Sequence, residues 1–336
     1  MIILSNCLKK DADEGCLKVA VSLTQRIKET APDTTVIGYE RESQLCDRFL
    51  KLNKWMLSMK LIRLLRAKKQ PVLFIPFSAK MRSTALRTLV ISLFAKGKVR
   101  LVQSMFSPMD GLGKWLMKLS GAEMICLSES SYRYYRERLG AQAHYLKTGV
   151  DTKLFCPVSP EKKRKLREKH NIPVDKTVVL HVGHLKPGRN LQRLLELEAD
   201  LHGVAVASTH TPQQQDMQLR QQLLEKENIT LVEGFVPQIW ELYQLADVYL
   251  FPVEYIKGCI DAPLSAMEAA ACGIPVVTTA FGELKTLLGN EGFYLLDTKE
   301  PPALNALLRK AARENRSPRK AILPYDWTAA AQSLLK

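Results

Sequence analysis

Residues 247–279 read DVYLFPVEYIKGCIDAPLSAMEAAACGIPVVTT, and the order of elements inside this stretch decides the fold. Val248–Phe251 is a short, continuously apolar run closed by Pro252, the pattern of a strand buried on both faces. An irregular loop follows. A helix is then expected over Pro263–Cys272, because proline lacks the amide that a first helical turn leaves unpaired, and because Gly273 supplies the left-handed residue that ends helices. Pro275–Thr278 starts a second buried strand. Strand, crossover helix and strand together form the repeating unit of a parallel sheet.

The same alternation extends in both directions. Towards the N-terminus lie strand candidates at Thr230–Val232, Val204–Ala207 and Val178–Val182, with helices expected at Pro237–Ala246, from Asn190 to Leu197, and over the charged stretch Glu161–His170. Before these, Ile2–Ser5, Thr35–Tyr39, Val72–Pro76, Val99–Gln103 and Met124–Ser128 read as strands. Cys16–Thr30, Leu52–Leu65 and Tyr132–Leu139 read as helices. The expected fold class is α/β, with two Rossmann-like, doubly wound domains facing across a cleft and ligands bound beyond the carboxyl ends of the strands. The expected division is 1–155 for an N-terminal Rossmann-like domain and 156–320 for a C-terminal Rossmann-like domain. Residues 321–336 form a final helix that returns to the N-terminal domain.

A chain of 336 residues suits two domains, and its 46% apolar and 25% charged residues are an ordinary globular balance. No apolar run reaches the ~20 residues of a membrane span, and MIILSNCLKK lacks the basic region that opens a signal peptide. Seven scattered cysteines without a CxxC pair fit a reducing compartment better than a disulfide framework or zinc module. The net charge of +15 is lopsided. Residues 1–150 hold 26 Lys and Arg against 12 Asp and Glu, whereas residues 151–336 hold 23 against 22. Such a basic half implies an anionic partner: a membrane surface, nucleic acid or an acidic substrate. Much of the excess lies in Lys51–Lys69 and Lys80–Arg100. The first of these mixes cations with Trp55 and many aliphatic residues, as interfacial helices do, although the two kinds do not separate cleanly on an ideal wheel. No recognisable nucleic-acid module accompanies the charge.

Several residues are candidates for chemistry. The first-turn amides of the helix opening at Pro263 and Leu264 can receive an anion or sugar hydroxyls. Glu268, one to two turns further on, reads from local pattern as a solvated helix-face carboxylate. His181 and His184 do not form a metal pair, since residues three apart on a strand point to opposite faces.

Glu268-Ala269-Ala270-Ala271-Cys272-Gly273-Ile274-Pro275-Val276-Val277 closely resembles the second half of the donor-site motif of retaining GT-B glycosyltransferases, the glycogen-synthase-like and mannosyltransferase-like superfamily (glycosyl transferases group 1, family 4-like). Three further blocks stand in the family's order. Thr148–Phe155 resembles the interdomain Asn-Gly-Val-Asp…Phe signature. His181-Val182-Gly183-His184-Leu185-Lys186-Pro187-Gly188-Arg189-Asn190-Leu191 resembles the diphosphate loop. Val232–Val236, containing Gly234 and Phe235, and Ala246–Val248 resemble the later strand blocks.

The resemblance implies a nucleotide-sugar-dependent, retaining transferase. Glu268 then takes the ribose. Gly183, His184, Lys186 and Arg189 hold the diphosphate, and Gly234, Phe235, Ala262, Pro263 and Leu264 complete the donor site. Gly15 stands on the acceptor side. Arg189 keeps the charge and fork suited to phosphate, while His184 is charged only part of the time near neutral pH. The family's first motif glutamate falls on Ile260, with Asp261 beside it as the substitute. The histidine often present after the fifth strand is absent from Ser104-Met105-Phe106. No cofactor and no metal are implied, since protein cations take the diphosphate charge. The implied partners are a nucleotide sugar, a glycan or lipid-linked acceptor, and an anionic membrane at whose cytoplasmic face the enzyme is peripheral, with no nucleic acid. The alternative is a GT-B module that binds nucleotide sugar without turnover.

Overall fold

A computed structural model describes residues 1–9, 14–40, 43–53, 55–67, 69–77, 80–186, 188–207, 216–254, 259–297 and 304–336. Lys54, Lys68 and Pro187, together with residues 255–258 of the segment quoted first, lie outside the described residues.

The chain divides into two units, the first made of Met1–Thr148, Cys259–Ala262 and Trp327–Lys336, the second of Gly149–Gly258 and Pro263–Asp326. In the first, β1 (Ile2–Ser5), α1 (Gly15–Thr30), β2 (Thr35–Tyr39), β3 (Arg48–Leu50), α2 (Met59–Ala67), β4 (Val72–Ile75), α3 (Met81–Phe94), β5 (Val99–Gln103), α4 (Gly111–Ser120), β6 (Glu123–Cys126), α5 (Glu129–Leu139) and β7 (Ala143–Tyr145) alternate. Among the described residues the strands form one parallel sheet in the order β3-β2-β1-β4-β5-β6-β7, with Ile3 opposite both Val36 and Leu73. Every residue of β1 and β4 is buried, which is why these strands are apolar without alternation. The core on the α2–α5 side joins Leu4, Phe74 and Leu101 of the sheet to Leu61, Leu65, Leu89, Leu116 and Leu139 of the helices.

The second unit contains α6 (Pro160–Lys169), β8 (Thr177–Gly183), β9 (Leu201–Ala207), α7 (Met217–Glu225), β10 (Ile229–Glu233), α8 (Ile239–Leu245), β11 (Val248–Phe251), α9 (Leu264–Ala271), β12 (Val276–Thr278), α10 (Leu284–Leu287), β13 (Phe293–Leu295), α11 (Leu304–Glu314) and α12 (Arg319–Ile322). Its parallel sheet runs β10-β9-β8-β11-β12-β13, so strand order reverses between β8 and β11. The last helix, α13 (Trp327–Leu335), packs on α1 in the first unit, where Arg100 donates to the Leu334 carbonyl.

Both units are α/β with parallel sheets and α-helices on most connections between strands, as the sequence leads one to expect; among the described residues β2 and β3 are joined without a helix, and β8 and β9 through a 3₁₀ segment alone. Several boundaries differ. The helix expected from Leu52 starts only at Met59, because the Asn53 side-chain oxygen accepts from the amides of Trp55 and Leu57, both at 3.0 Å, and Met56 takes a left-handed φ of 61°. The stretch 190–197 holds only a 3₁₀ segment, Leu191–Glu196, after Asn190 at φ 53°. The second unit opens at Gly149, not at 156, because the segment after Gly149 is bonded to residues 325 and 326. The Val150 amide donates to the Tyr325 carbonyl at 3.2 Å, and the Thr152 amide and hydroxyl donate to Asp326 Oδ2 at 3.0 and 2.7 Å.

Candidate functional site

The strand-order reversal of the second unit places the ends of β8 and β11 side by side, the position at which open parallel sheets bind ligands. Both ends are tied together. Tyr249 on β11 uses its hydroxyl to donate to the Val182 carbonyl at 3.2 Å and to accept from the Val182 amide at 3.4 Å. The Asn190 side chain donates to the Pro252 carbonyl at 3.1 Å, which ties the loop after β8 to the loop after β11. That loop bends through Gly188 at φ 86° and Asn190 at φ 53°. Within it the Lys186 amide bonds the His184 carbonyl at 2.9 Å, and the Arg189 amide the Lys186 carbonyl at 3.1 Å. These two bonds link the backbone at His184, Lys186 and Arg189.

Beneath the loop runs a row of buried rings. His181 stacks on Tyr249 at 6.2 Å and Tyr249 on Tyr243 at 6.0 Å. His181 Nδ1 donates to the Leu250 carbonyl at 2.9 Å, and its Nε2 has no hydrogen-bond partner among the described residues. A Cβ on Gly183 would lie 2.8 Å from that Nε2, so this strand end accommodates no larger residue unless the ring moves. Burial holds His181 down at about 4, with the Leu250 carbonyl opposing and the nearby Arg189 charge adding to the effect. Burial also pushes the Tyr249 hydroxyl up, against a hydrogen bond from Ser265 and the Arg189 charge, and with the Glu268 charge. Tyr249 thus lies within electrostatic reach of Arg189, Ser265 and Glu268.

Glu268 is only 4% exposed. This corrects the local reading of a solvated carboxylate: α9 is Ala-rich, and almost all of its residues are buried. Tyr243 donates to Glu268 Oε2 at 2.8 Å, and its own hydroxyl is raised by burial and by that carboxylate. Pro263 is the N-cap of α9 and not its first turn, and no side chain caps the helix start at Leu264. Gly234 follows β10 at φ 92°, with open space where a Cβ would point, and Phe235 beside it is 53% exposed.

The remaining predicted residues fall in the first unit. Cys259–Ala262 belongs there, and Ala262 is fully buried, while Pro263–Glu268 belongs to the second unit. Asp261 is buried, accepts from the Phe106 amide at 2.8 Å and from the Ser131 hydroxyl, and its amide bonds the Ser104 carbonyl at 3.1 Å. Its carboxylate therefore joins the loop after β5 to the start of α5. Gly15 opens α1 against the side chain of Ile260. The residues that sequence reading missed are Tyr243, Tyr249 and Ser131. Each sits in an ordinary helix or strand pattern, and only the fold gives their hydroxyls a role.

Among solved structures, the fold is similar to that of Anabaena Alr3699/HepE in complex with UDP-glucose, at a TM-score of 0.74 and 15% identity, covering 99% of this chain and 98% of that one. A glycosyltransferase from Rickettsia africae has a TM-score of 0.74 at 13% identity, covering 99% and 96%. The architecture is the two-domain α/β fold of GT-B glycosyltransferases. Residues 162–323, just under half of the chain, match the family model "Glycosyl transferases group 1". A D-inositol 3-phosphate glycosyltransferase of Xylanimonas cellulosilytica is 29% identical over 211 residues, 57% of this chain and 50% of that protein. The corresponding protein of Mycolicibacterium smegmatis is 32% identical over 146 residues, 40% of this chain and 32% of that protein. The chain spans about half the length, or less, of these curated relatives.

Proposed function

We propose that the protein transfers a sugar from a nucleotide-diphosphate sugar to a glycan or lipid-linked acceptor, with retention of anomeric configuration, as a peripheral enzyme at the cytoplasmic face of a membrane. The observation that carries the donor half is the grouping, around Tyr249 at the β8–β11 reversal, of the Arg189 loop, the uncapped start of α9 and the buried Glu268. Cleavage of the sugar–phosphate bond builds negative charge on the departing diphosphate, and fixed donors aimed at it are the main catalytic device. Arg189, Lys186, His184 and the first amides of α9 supply those donors. Tyr243 fixes the Glu268 carboxylate to accept ribose hydroxyls, and exposed Phe235 offers a ring to the base. The UDP-glucose bound in the HepE structure supports this donor class. The chain's own cations take the charge that a divalent ion would otherwise carry, so turnover needs no metal.

Titration with a panel of nucleotide sugars, followed by assignment of the product's anomeric configuration by NMR, tests the reading. Arg189→Ala should weaken both nucleotide sugar and free nucleoside diphosphate by about 1.5–3 kcal/mol, and EDTA should leave turnover unchanged. Equal affinity in variant and parent, or loss of turnover on chelation with recovery on adding a divalent ion, would overturn the scheme. Two features favour a second reading, nucleotide-sugar binding without turnover: Ile260 stands where the motif has its first glutamate, and the Asp261 carboxylate is bonded to Phe106 and Ser131. Slow release of free sugar from a bound nucleotide sugar would exclude it.

A further inference from the structure

We infer that the outward face of α4 is the surface by which this chain docks on an anionic lipid bilayer, with Leu112, Trp115 and Leu119 entering the headgroup layer and Lys114 and Lys118 meeting lipid phosphates. This rests on the membrane reading above and names the surface responsible for it. Among the described residues no helix is long and apolar enough to cross a membrane, so docking would have to use a surface.

The helix GLGKWLMKLS packs into its own unit through Gly113, Leu116 and Met117, which are buried. A helix packed in this way normally turns polar side chains outward. Here the outer stripe is Leu112 at 51%, Trp115 at 57% and Leu119 at 58% exposure. The spacing i, i+3, i+7 puts all three on one side of the helix. Single exposed apolar residues are ordinary; three large ones in line along a ten-residue helix form a patch that calls for a partner.

Charge identifies the partner. Residues 51–122, which contain α2, α3 and α4, hold 15 Lys and Arg and a single acidic residue, Asp110. That one carboxylate is engaged: it caps α4 by accepting from the Gly113 amide at 2.9 Å and pairs with Arg82. The neighbouring α3 packs on α4 and adds Leu93 at 67% exposure. Next to α2, a crevice of about 500 Å³ is lined by Arg48, Lys60 and Arg63. An apolar stripe with a tryptophan, flanked by lysines in a segment that is basic from residue 51 to residue 122, is the composition of an interfacial helix on anionic lipid. Nucleic acid would match the charge but not the Leu112, Trp115 and Leu119 stripe. The inference places apolar insertion on α4 and leaves α2, whose Leu61 and Leu65 are buried in the core, to contribute charge alone.

The test is co-sedimentation of the full chain with vesicles of phosphatidylcholine alone or mixed equally with phosphatidylglycerol, at low salt, with nucleoside diphosphate affinity measured on the same preparations. The parent should bind only the anionic vesicles, with a blue shift of tryptophan emission that Trp115→Phe diminishes. Combined Leu112→Gln, Trp115→Gln and Leu119→Gln should weaken vesicle binding by more than about tenfold and leave nucleotide affinity intact. Lys60→Gln, Arg63→Gln and Arg66→Gln should weaken binding less and flatten its salt dependence. Undiminished vesicle binding by the α4 variant would overturn the inference while leaving the membrane reading standing. A parent indifferent to anionic vesicles would overturn both. If that indifferent parent also self-associates, and the α4 changes abolish the self-association, the face belongs to a second copy of the chain.

Discussion

Ile260 fills the space that a side chain on Gly15 would need: a Cβ there would lie 2.8 Å from Ile260 Cδ1 and 3.0 Å from Cγ1. The position where the family's motif carries its first glutamate is thus occupied by an aliphatic side chain packed on the first turn of α1. Gly15→Ala should lower the thermal midpoint despite alanine's better helix propensity, by an overpacking cost of about 1–3 kcal/mol. Ile260→Ala in the same chain should restore much of it. A double-mutant cycle in which the two changes simply add would show that the contact carries no energy.

Glu268 and Tyr243 form one buried pair, so their substitutions should separate binding from folding. Glu268→Gln keeps the shape and an acceptor oxygen but removes the charge, and should weaken nucleoside diphosphate binding with little change in stability. Tyr243→Phe removes the donor that orients the carboxylate and leaves it a partner short, which costs about 1–3 kcal/mol of stability. Calorimetric titration and thermal unfolding of both variants check this. Unchanged nucleotide affinity in Glu268→Gln would remove Glu268 from the donor site.

Asp261 has become a structural question as much as a chemical one. Its carboxylate accepts from the Phe106 amide and the Ser131 hydroxyl, so Asp261→Ala should destabilise the first unit by about 1–3 kcal/mol for each buried donor left unpaired. Amide exchange in the loop after β5 should rise in this variant, while nucleotide affinity should hold. A variant with unaltered exchange but altered sugar transfer would return Asp261 to the reaction centre.

His181 predicts an acid sensitivity. An unfolded chain protonates this imidazole below its ordinary value of 6.5, the folded chain only near 4. Between those values the unfolded state holds the extra proton, so the stability tied to neutral His181 is complete above 6.5 and is lost as pH falls through the window towards 4. The full loss is roughly 3 kcal/mol at 1.36 kcal/mol per unit. The stability of the parent relative to His181→Phe should therefore fall between pH 7 and pH 4.5. A difference that does not vary with pH would place a charged or hydrated imidazole at this position.

What the sequence disclosed, and what it hid, follows from how each residue is buried. β1, β2, β5 and β11 were legible to the residue because strands of a parallel sheet, covered on both faces, are largely apolar, with Arg100 of β5 the charged exception. α3 was not recognised as a helix: it mixes Thr84, Thr88, Val90 and Ile91 with Leu86, Leu89 and Leu93, a composition that suits strand and helix alike. α4 was missed as well, since Leu112, Trp115 and Leu119 blur the single apolar stripe that marks a surface helix. The loop after β8 and Glu268 stood out through spacing that a motif preserves. Burial of Glu268 was not, because an Ala-rich helix gives no sign of which side is covered. Asp261 lies a few residues from Glu268 in sequence, yet the two belong to different units, and nothing local to IDAPLSAME marks where the chain crosses.

The assignment of Trp327–Lys336 and Cys259–Ala262 to the first unit has a consequence for synthesis. Residues 149–258 and 263–326 contain all of the second unit's sheet and can close as soon as they leave the ribosome. The first unit, although begun at residue 1, waits for the last helix to emerge before α1 is covered. The part translated first is thus the part completed last. A nascent chain stalled before Trp327 would present a finished second unit tethered to a first unit with the α13-covered side of α1 still open, and it is there that a ribosome-associated chaperone would find apolar surface to hold.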